Sequence, residues 1–296
     1  MDPARFFAAS RTLIVAGKGG VGKSTVAAAC ARAAGGAGLR TVLVRLTPGP
    51  EPEPVPTLVV TPDRALREYL DDHGLARMTG RLMSSGAIDV VTAAAPGIKD
   101  LLVLGRVKQL ERSGEHDLVV VDAPAAGHAV EFLRAPRLLR AAVGTGPIAT
   151  QADDVLAMLA DPERCRVALV TTPEETPVNE LIETAYALED EIGIDLAPVI
   201  VNAVLDPIEG LHTDVAPEAS SLGLSVADVD ALNAAARFHR TTVAAQQAQL
   251  DRISADLPLD AIRLPLLSTT RIGDDDLDVL VSALTTAIGA LPEPTR

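Results

Sequence analysis

The fold of this chain follows from one stretch, Gly17-Lys18-Gly19-Gly20-Val21-Gly22-Lys23-Ser24-Thr25. It satisfies the pattern GxxxxGK[ST], follows an apolar β-branched run at 11–16 and precedes an Ala-rich stretch at 24–34. Strand, glycine loop and helix in this order predict a phosphate-binding loop, in which backbone N–H groups and the helix start face an anion. We expect all nine residues to bind a nucleotide. The alternative is a glycine-rich turn that binds nothing.

Three side chains of this loop carry specific expectations. Lys23 is expected to reach the β- and γ-phosphates as a point charge, and Ser24 to place its hydroxyl on Mg²⁺. Lys18 is not needed in an ordinary phosphate loop, and its charge repels that of Lys23 unless an anion compensates. The chain has 4 Lys against 22 Arg, so two lysines in one loop are distinctive.

Composition excludes several other classes of protein. The chain has 296 residues, with 26 Lys and Arg against 40 Asp and Glu, and its formal charge of −14 argues against bulk binding of nucleic acid. No apolar run approaches the roughly 18 residues that cross a bilayer, so no transmembrane segment is expected. Residues 1–10 lack the pattern of a secretory signal, and Cys30 and Cys165 form no short-spaced pair. A cytoplasmic location is the expectation.

Apolar runs mark the predicted strands after the first one. They lie at 41–46, 57–60, 88–91, 118–121, 167–170 and 199–202. Because these runs are apolar throughout and helical stretches separate most of them, they predict an α/β fold with a mostly parallel, doubly wound sheet.

The remaining segments predict helices and one loop. Two helical tracts, at 63–82 and 224–257, lie away from the strands and predict an additional helical layer. The proline-rich stretch 47–56 is predicted to be an exposed loop. We expect a single domain over 1–296, with helical subregions around 63–115 and 205–257.

A second acidic position follows the phosphate loop by about 100 residues. The apolar run 118–121 ends in Asp122, where a carboxylate can hold Mg²⁺ opposite Ser24, usually through water. Asp is also common in turns and at helix caps, so its position alone leaves a structural role open.

Lys18 makes the loop resemble the deviant Walker A motif. That motif defines the family containing ParA, MinD, nitrogenase iron protein, and the arsenite-pump and tail-anchored-protein-targeting ATPases. There the signature lysine crosses a dimer interface and touches the nucleotide of the partner chain. The resemblance implies ATP and Mg²⁺ as cofactors and, since the chain has one such loop, a homodimer or a heterodimer with a paralogous ATPase. The alternative is a solvated lysine at a loop edge.

One branch of that family is closer than the others. Asp122-Ala-Pro-Ala-Ala-Gly-His128 is similar to the DTAPTGH switch of the arsenite-pump and tail-anchored-protein-targeting ATPases. Further similar segments lie at 57–70, 96–100, 171–180 (family pattern TxPExxPVxE), 199–202 and 265–273, so the resemblance spans nearly the whole chain. It implies that Asn202 hydrogen-bonds the adenine ring and that Glu174 lies near the nucleotide, in contact across the dimer. An amide suits adenine because it offers one donor and one acceptor, whereas a strand-end turn is the alternative role for Asn202.

The sequence departs from the family pattern at two catalytic positions. Thr47 stands where the family has the Asp that orients or activates the attacking water, and Ala126 stands where the switch has Thr. A hydroxyl can hydrogen-bond water but cannot accept its proton, so we expect slow hydrolysis, or hydrolysis completed by a partner chain. His128 is retained, with a structural or a catalytic role.

Two functions of relatives are not expected here. Two separate cysteines do not supply the convergent thiolates of an arsenite or zinc site. The segment 130–160 is short and holds one Met, which gives no basis for a methionine-rich groove for membrane helices.

Three functions are compatible with these observations. The leading interpretation is an ATP-binding, slowly hydrolysing dimeric switch that couples ATP- and Mg²⁺-driven dimerisation to a membrane partner or client. The alternative is a catalytically degenerate regulatory subunit that pairs with an active paralogue. A ParA- or MinD-type positioning ATPase is disfavoured, because the predicted last helix at 274–290 contains no Lys or Arg that could contact an anionic surface.

Overall fold

A computed structural model describes residues 1–49, 55–72, 97–213, 216–219 and 221–293. The predicted strand at 88–91, the end of the helical tract at 63–82 and the middle of the proline-rich stretch lie outside these residues.

The described residues form one seven-stranded sheet in the order β3-β2-β4-β1-β5-β6-β7. Its strands are β1 (Thr12–Gly17), β2 (Thr41–Arg45), β3 (Thr57–Val59), β4 (Leu118–Ala125), β5 (Cys165–Thr171), β6 (Val199–Val204) and β7 (Ala261–Pro265). Every neighbouring pair is parallel. The α/β class and the parallel sheet are therefore confirmed.

Helices connect the strands and cover both faces of the sheet. They are α1 (Pro3–Phe7), α2 (Lys23–Gly36), α3 (Pro62–Asp72), α4 (Ile98–Ser113), α5 (Ala126–Ala142), α6 (Pro147–Leu159), α7 (Glu175–Tyr186, continued by a π-helical turn Ala187–Ile192), α8 (Ala216–Ala219), α9 (Val226–Asp256) and α10 (Asp274–Ala290). None of the described helices is long and apolar enough to cross a membrane.

The sheet separates two apolar cores. On β1, Leu13 and Val15 pack towards α2 and α10, whereas Ile14 and Ala16 pack towards the opposite face, which α4, α5, α6 and α7 cover. This alternation follows from the two-residue period of a strand buried on both sides. Because the strand order reverses on either side of β1, a crevice opens at the carboxyl edge where β1 ends.

The predicted helical layer is present as α9, which is 31 residues long. Its carboxyl-terminal part buries Leu250 and Ile253 beside α7, while its amino-terminal part is exposed. Gln246 of α9 accepts a 2.8 Å hydrogen bond from the backbone N–H of Leu205 and donates one of 3.3 Å to the carbonyl oxygen of Ala203. The helix therefore supports the chain where it leaves β6.

Several element boundaries differ from the sequence-based expectations. β7 was not expected, since its run is short and interrupted by Arg263, yet pairing with β6 stabilises it. Gly35 and Gly36 extend α2 beyond the helical stretch predicted at 24–34, because the helix continues packing on the sheet. Val55, expected in an exposed loop, is buried in the core beneath α2.

Candidate nucleotide site

The phosphate loop begins where β1 ends, between β4 and β5. Gly17 has φ +155°, and a Cβ there would collide with the carbonyl oxygen of Val170 on β5. Gly22 has φ +87°, and a Cβ there would collide with the Asn202 side-chain amide. Both positions therefore require glycine for conformation and for space. Gly19 and Gly20 are exposed between them.

The start of α2 presents unpaired backbone donors to this loop. Gly22 is the N-cap residue and supplies no capping side chain, so the first N–H groups of the helix lack an intrahelical acceptor. Lys23 is the first helical residue, and Ser24 and Thr25 complete the first turn, with Ser24 exposed. Free N–H groups and the positive end of the helix dipole together favour an anion here.

Lys23 is folded back onto the loop in this structure. Its Nζ donates a 3.0 Å hydrogen bond to the carbonyl oxygen of Lys18. Partial burial lowers the pKa of Lys23 below its ordinary value, and the negative charge of Asp122 opposes part of that effect. Lys23 and Asp122 therefore share one electrostatic environment, although 99 residues of sequence separate them.

Asp122 lies within β4, on the face of the sheet that α2 covers. In the strand register it is opposite Val15 of β1 and Arg45 of β2. Val120, two residues earlier, belongs to the core beneath α2, and the two-residue period places Asp122 on the same face. Asp122 was expected to follow the strand, but β4 continues to Ala125 because β1 pairs with it to that point.

Arg45 is a residue of this edge that sequence reasoning did not single out. It ends β2 and is only 8% exposed, which is unusual for an arginine. Its position on the Asp122 face brings a buried cation to the carboxyl edge. The sequence feature that could have indicated Arg45 is an arginine at the end of an otherwise apolar strand.

Lys18 forms an ion pair with Glu180 of α7. Both side chains are partly exposed, Lys18 at 30% and Glu180 at 39%. Glu180 lies in the family-like segment 171–180, but sequence reasoning assigned it no role. In this structure Lys18 therefore has a partner within its own chain.

Asn202 contacts the same loop from β6. Its Nδ2 donates a 2.9 Å hydrogen bond to the carbonyl oxygen of Val21, a buried residue of the loop. Directly after it, Ala203 adopts φ +60° at a register shift between β6 and β7. Such an irregularity changes the direction of nearby side chains in a strand.

Glu174 is the N-cap residue of α7, three residues after the end of β5, and its side chain is exposed. Its backbone N–H donates a 2.8 Å hydrogen bond to the carbonyl oxygen of Thr172. Because the carboxyl ends of parallel strands meet at one edge, Glu174 lies at the same edge of the sheet as the phosphate loop.

The two departures from the family pattern also lie at the carboxyl edge. Thr47 is exposed in the bend that follows β2, and Ala126 is the first residue of α5. Close by, burial raises the pKa of Asp100 at the start of α4, with a further increase from Glu131 and an opposing effect from His128. The start of α4 and the start of α5 are therefore electrostatically coupled.

The residues present fit a magnesium nucleotide. Gly17 and Gly22, where a Cβ would not fit, form the ends of the cradle. Ser24 and Asp122 offer the hydroxyl and carboxylate oxygens that Mg²⁺ prefers. Within the described ranges no group of three or more His, Cys, Asp or Glu could hold a metal. Both cysteines are buried, Cys30 in α2 and Cys165 at the start of β5.

Comparison with known proteins finds a family that part of the chain resembles. The sequence profile of the family described as Anion-transporting ATPase matches residues 10–51 and 61–147, which include the phosphate loop and the stretch from Asp122 to His128. The chain therefore resembles the anion-transporting ATPase family over these residues. The resemblance on which the sequence-based assignment rests is confirmed, and similar proteins are named as ATPases.

Three relatives illustrate the range of this family. ATPase BagA of Mycobacterium tuberculosis is 28% identical over 301 residues, which cover 89% of this chain and 88% of the relative. The Halobacterium salinarum protein named "Putative arsenical pump-driving ATPase" is 30% identical over 233 residues, 66% of this chain and 36% of the relative. ATPase GET3C of Arabidopsis thaliana is 25% identical over 158 residues, 42% of this chain and 40% of the relative.

Proposed function

We propose that this chain binds ATP with Mg²⁺ at residues 17–25 and works as an ATP-dependent dimeric switch with slow hydrolysis. The observation that carries the proposal is the convergence of Lys23 and Asp122 beside a loop in which Gly17 and Gly22 admit no side chain. A cation, a carboxylate and free helix N–H groups in one crevice are the parts that a magnesium polyphosphate requires.

The proposed roles divide between the loop and the neighbouring strands. The backbone N–H groups of the loop and the Lys23 ammonium bind phosphate oxygens, and Lys23 exchanges the carbonyl oxygen of Lys18 for them. Ser24 and Asp122 hold Mg²⁺, which neutralises phosphate charge when bound. Asn202 and Glu174 lie at the same edge of the sheet. Asn202 is proposed to hydrogen-bond the adenine ring, and Glu174 to lie near the nucleotide, in contact across the dimer.

Dimerisation is proposed because of Lys18. One chain carries one phosphate loop, so a lysine that contacts the partner's nucleotide requires a second chain, either a copy of this one or a paralogous ATPase. Separation after hydrolysis or exchange would change the surface that a membrane partner or client meets. We place this cycle in the cytoplasm and assign it to a single domain spanning residues 1–296.

A regulatory subunit without turnover of its own is the second candidate. The observation that favours it is Thr47, which is exposed directly after β2 and carries a hydroxyl in place of the family's carboxylate. ATP turnover by the purified chain that disappears in Lys23→Ala would exclude this candidate. Turnover only after addition of a paralogue from the source cell would favour it.

The test of the switch compares three lysine variants. Lys23→Ala is expected to reduce ATP affinity at least tenfold in titration calorimetry, because it removes a charge-assisted contact worth about 1.5–3 kcal/mol. Lys18→Ala is expected to bind nucleotide nearly as the wild type does but to remain monomeric in native mass measurements with ATP and Mg²⁺. Lys99→Ala, on the exposed side of α4, is the control. Equal loss of binding in Lys18→Ala and Lys23→Ala would contradict the proposed contact across the dimer.

A further inference from the structure

We propose that Glu180 is a latch that holds Lys18 within its own chain and competes with the partner's nucleotide for it. The inference rests on the proposed ATP-dependent dimer. It adds a residue and a regulatory step: the ion pair between Lys18 and Glu180 must break before Lys18 can close on the second chain. Nucleotide binding and dimerisation are then separate steps, each with its own dissociation constant.

The two partners of this ion pair differ in mobility. Glu180 belongs to α7, which is fixed to the sheet by Val178 and Leu181, both at least 96% buried. Lys18 lies between Gly17 and Gly19, in a loop whose backbone has few side chains to restrain it. The carboxylate is therefore the fixed member of the pair, and the lysine is the member that can leave.

A second contact connects the latch to the nucleotide site. The carbonyl oxygen of Lys18 accepts the hydrogen bond from Lys23 Nζ. Phosphate oxygens that attract Lys23 would withdraw this donor and free the Lys18 peptide group. Nucleotide in the same chain thus loosens the loop that carries Lys18, while Glu180 still holds the side chain.

Charge decides which partner Lys18 prefers once two chains meet. In the single chain Glu180 compensates the repulsion between Lys18 and Lys23. A partner's polyphosphate offers several negative charges against the single charge of Glu180, so it wins when the chains are close. A partly exposed ion pair changes an equilibrium constant by at most about fivefold. The latch therefore raises the dissociation constant of the dimer without preventing dimerisation.

The variant that tests the latch is Glu180→Gln, which keeps the size of the side chain and removes its charge. In a homodimer two latches open together, so the dissociation constant of the dimer is expected to fall by up to about 25-fold, the square of fivefold. Glu183→Gln is the control because it makes the same charge change at an exposed position one turn along α7. The measurement is sedimentation velocity over a range of protein concentrations, with a non-hydrolysable ATP analogue and Mg²⁺.

Each result of this experiment decides the matter. Tighter dimerisation of Glu180→Gln alone supports the latch. If the wild type and Glu180→Gln dimerise equally, the latch is overturned and the proposed switch stays intact. Weaker dimerisation of Glu180→Gln has the same consequence. Nucleotide-bound chains that stay monomeric in both cases overturn the homodimeric form of the switch and the latch with it. A wild-type monomer that becomes a dimer in the variant supports both.

A double variant separates the latch from a general effect of charge or stability. Lys18→Ala combined with Glu180→Gln is expected to stay as monomeric as Lys18→Ala, because Glu180 acts through Lys18. Enhanced dimerisation in this double variant would overturn the proposal. Unchanged single-chain affinity for the nucleotide analogue, measured at protein concentrations below dimerisation, checks that Glu180→Gln leaves the phosphate loop folded.

Discussion

Asn202 of β6 donates a 2.9 Å hydrogen bond from Nδ2 to the carbonyl oxygen of Val21 in the phosphate loop. β6 and β1 are not neighbours, since β5 lies between them, so this bond spans two strand positions. It gives Asn202 a role in the structure of the loop in addition to the proposed contact with adenine.

Asn202→Ala is expected to weaken the binding of inorganic tripolyphosphate through the loop, and that of ATP by a larger factor because the proposed contact with adenine is lost as well. Loss of one hydrogen bond that supports the loop costs about 0.5–1.5 kcal/mol, or roughly 2- to 13-fold in affinity. Titration calorimetry with both ligands checks this, with Asn233→Ala on α9 as the control. If only ATP binding weakened, Asn202 would act through the base alone.

Gly22→Ala is expected to abolish measurable nucleotide binding and to destabilise the chain by about 2 kcal/mol, because the residue has φ +87° and faces the Asn202 amide. Gly35→Ala is the matched control, since Gly35 is helical with open space around its missing Cβ. It is expected to stabilise the chain by about 0.5–1 kcal/mol. Urea denaturation measures both, and a neutral Gly22→Ala would contradict the described loop geometry.

Asp122→Asn is expected to shift the pH dependence of nucleotide binding. The charge of Asp122 raises the pKa of Lys23 against the lowering effect of burial, so its removal lowers that pKa further. The ammonium form of Lys23 is the form that binds phosphate. As the pH rises, the affinity for ADP without Mg²⁺ is therefore expected to fall at a lower pH in Asp122→Asn than in the wild type. Calorimetry between pH 7 and 10 in the presence of EDTA measures the shift.

Mg²⁺ is expected to improve the ATP affinity of Asp122→Asn by a factor about 10- to 100-fold smaller than in the wild type. Asp117→Asn provides the control at the opposite end of β4, where Asp117 pairs with Arg40 in solvent. An Asp122→Asn variant with an unchanged pH profile and an unchanged Mg²⁺ effect would place Asp122 outside the site.

Thr47→Asp is expected to raise the rate of ATP hydrolysis by about 10- to 100-fold, because a carboxylate can orient water and accept its proton. Thr47 is exposed directly after β2, so the larger side chain meets no core. Thr47→Asn supplies a side chain of equal size that cannot act as a base, and its rate should stay at the wild-type level. Steady-state phosphate release measures this, and equal rates in all three chains would remove Thr47 as the cause of slow hydrolysis.

The two cysteines are expected to resist alkylation in the folded chain. Burial raises the pKa of Cys30 and of Cys165 to about 12, so neither forms the reactive thiolate at pH 8.5. Mass spectrometry after iodoacetamide treatment should find no modification in buffer and two modifications in urea. Rapid labelling of either cysteine in buffer would contradict its burial.

The raised pKa values of the two cysteines also make the stability of the folded chain depend on pH. Folding disfavours the thiolates, so this contribution to the free energy of unfolding is complete below about pH 9, the ordinary thiol pKa, and is lost as the pH rises towards 12.

Much of the fold was predictable because its signals are local. The glycine loop, the apolar runs and the helix at 274–290 each depend on residues adjacent in sequence, and α10 has the expected bounds. β7 was not predictable in the same way. Its run of five residues includes Arg263, and pairing with β6 rather than its own pattern makes it a strand.

The candidate site was predictable only in part. Resemblance to a family assigned positions such as Glu174 and Asn202, but it gave Glu180 no partner and left Arg45 unremarked. These residues gain their surroundings from the strand register and from helix packing. A pattern along the chain does not contain that information, because it depends on which strands become neighbours.

The sequence by itself determined that this chain has a glycine loop between a strand and a helix in a parallel α/β sheet, since backbone conformation and apolar periodicity are properties of adjacent residues. Only the tertiary structure decided what the two loop lysines contact. Lys23 lies beside Asp122 and bonds the carbonyl oxygen of Lys18, and Lys18 pairs with Glu180, 162 residues away. The physical reason is that an ion pair depends on distance in space, and the folding of β5 and α7 against β1 sets that distance.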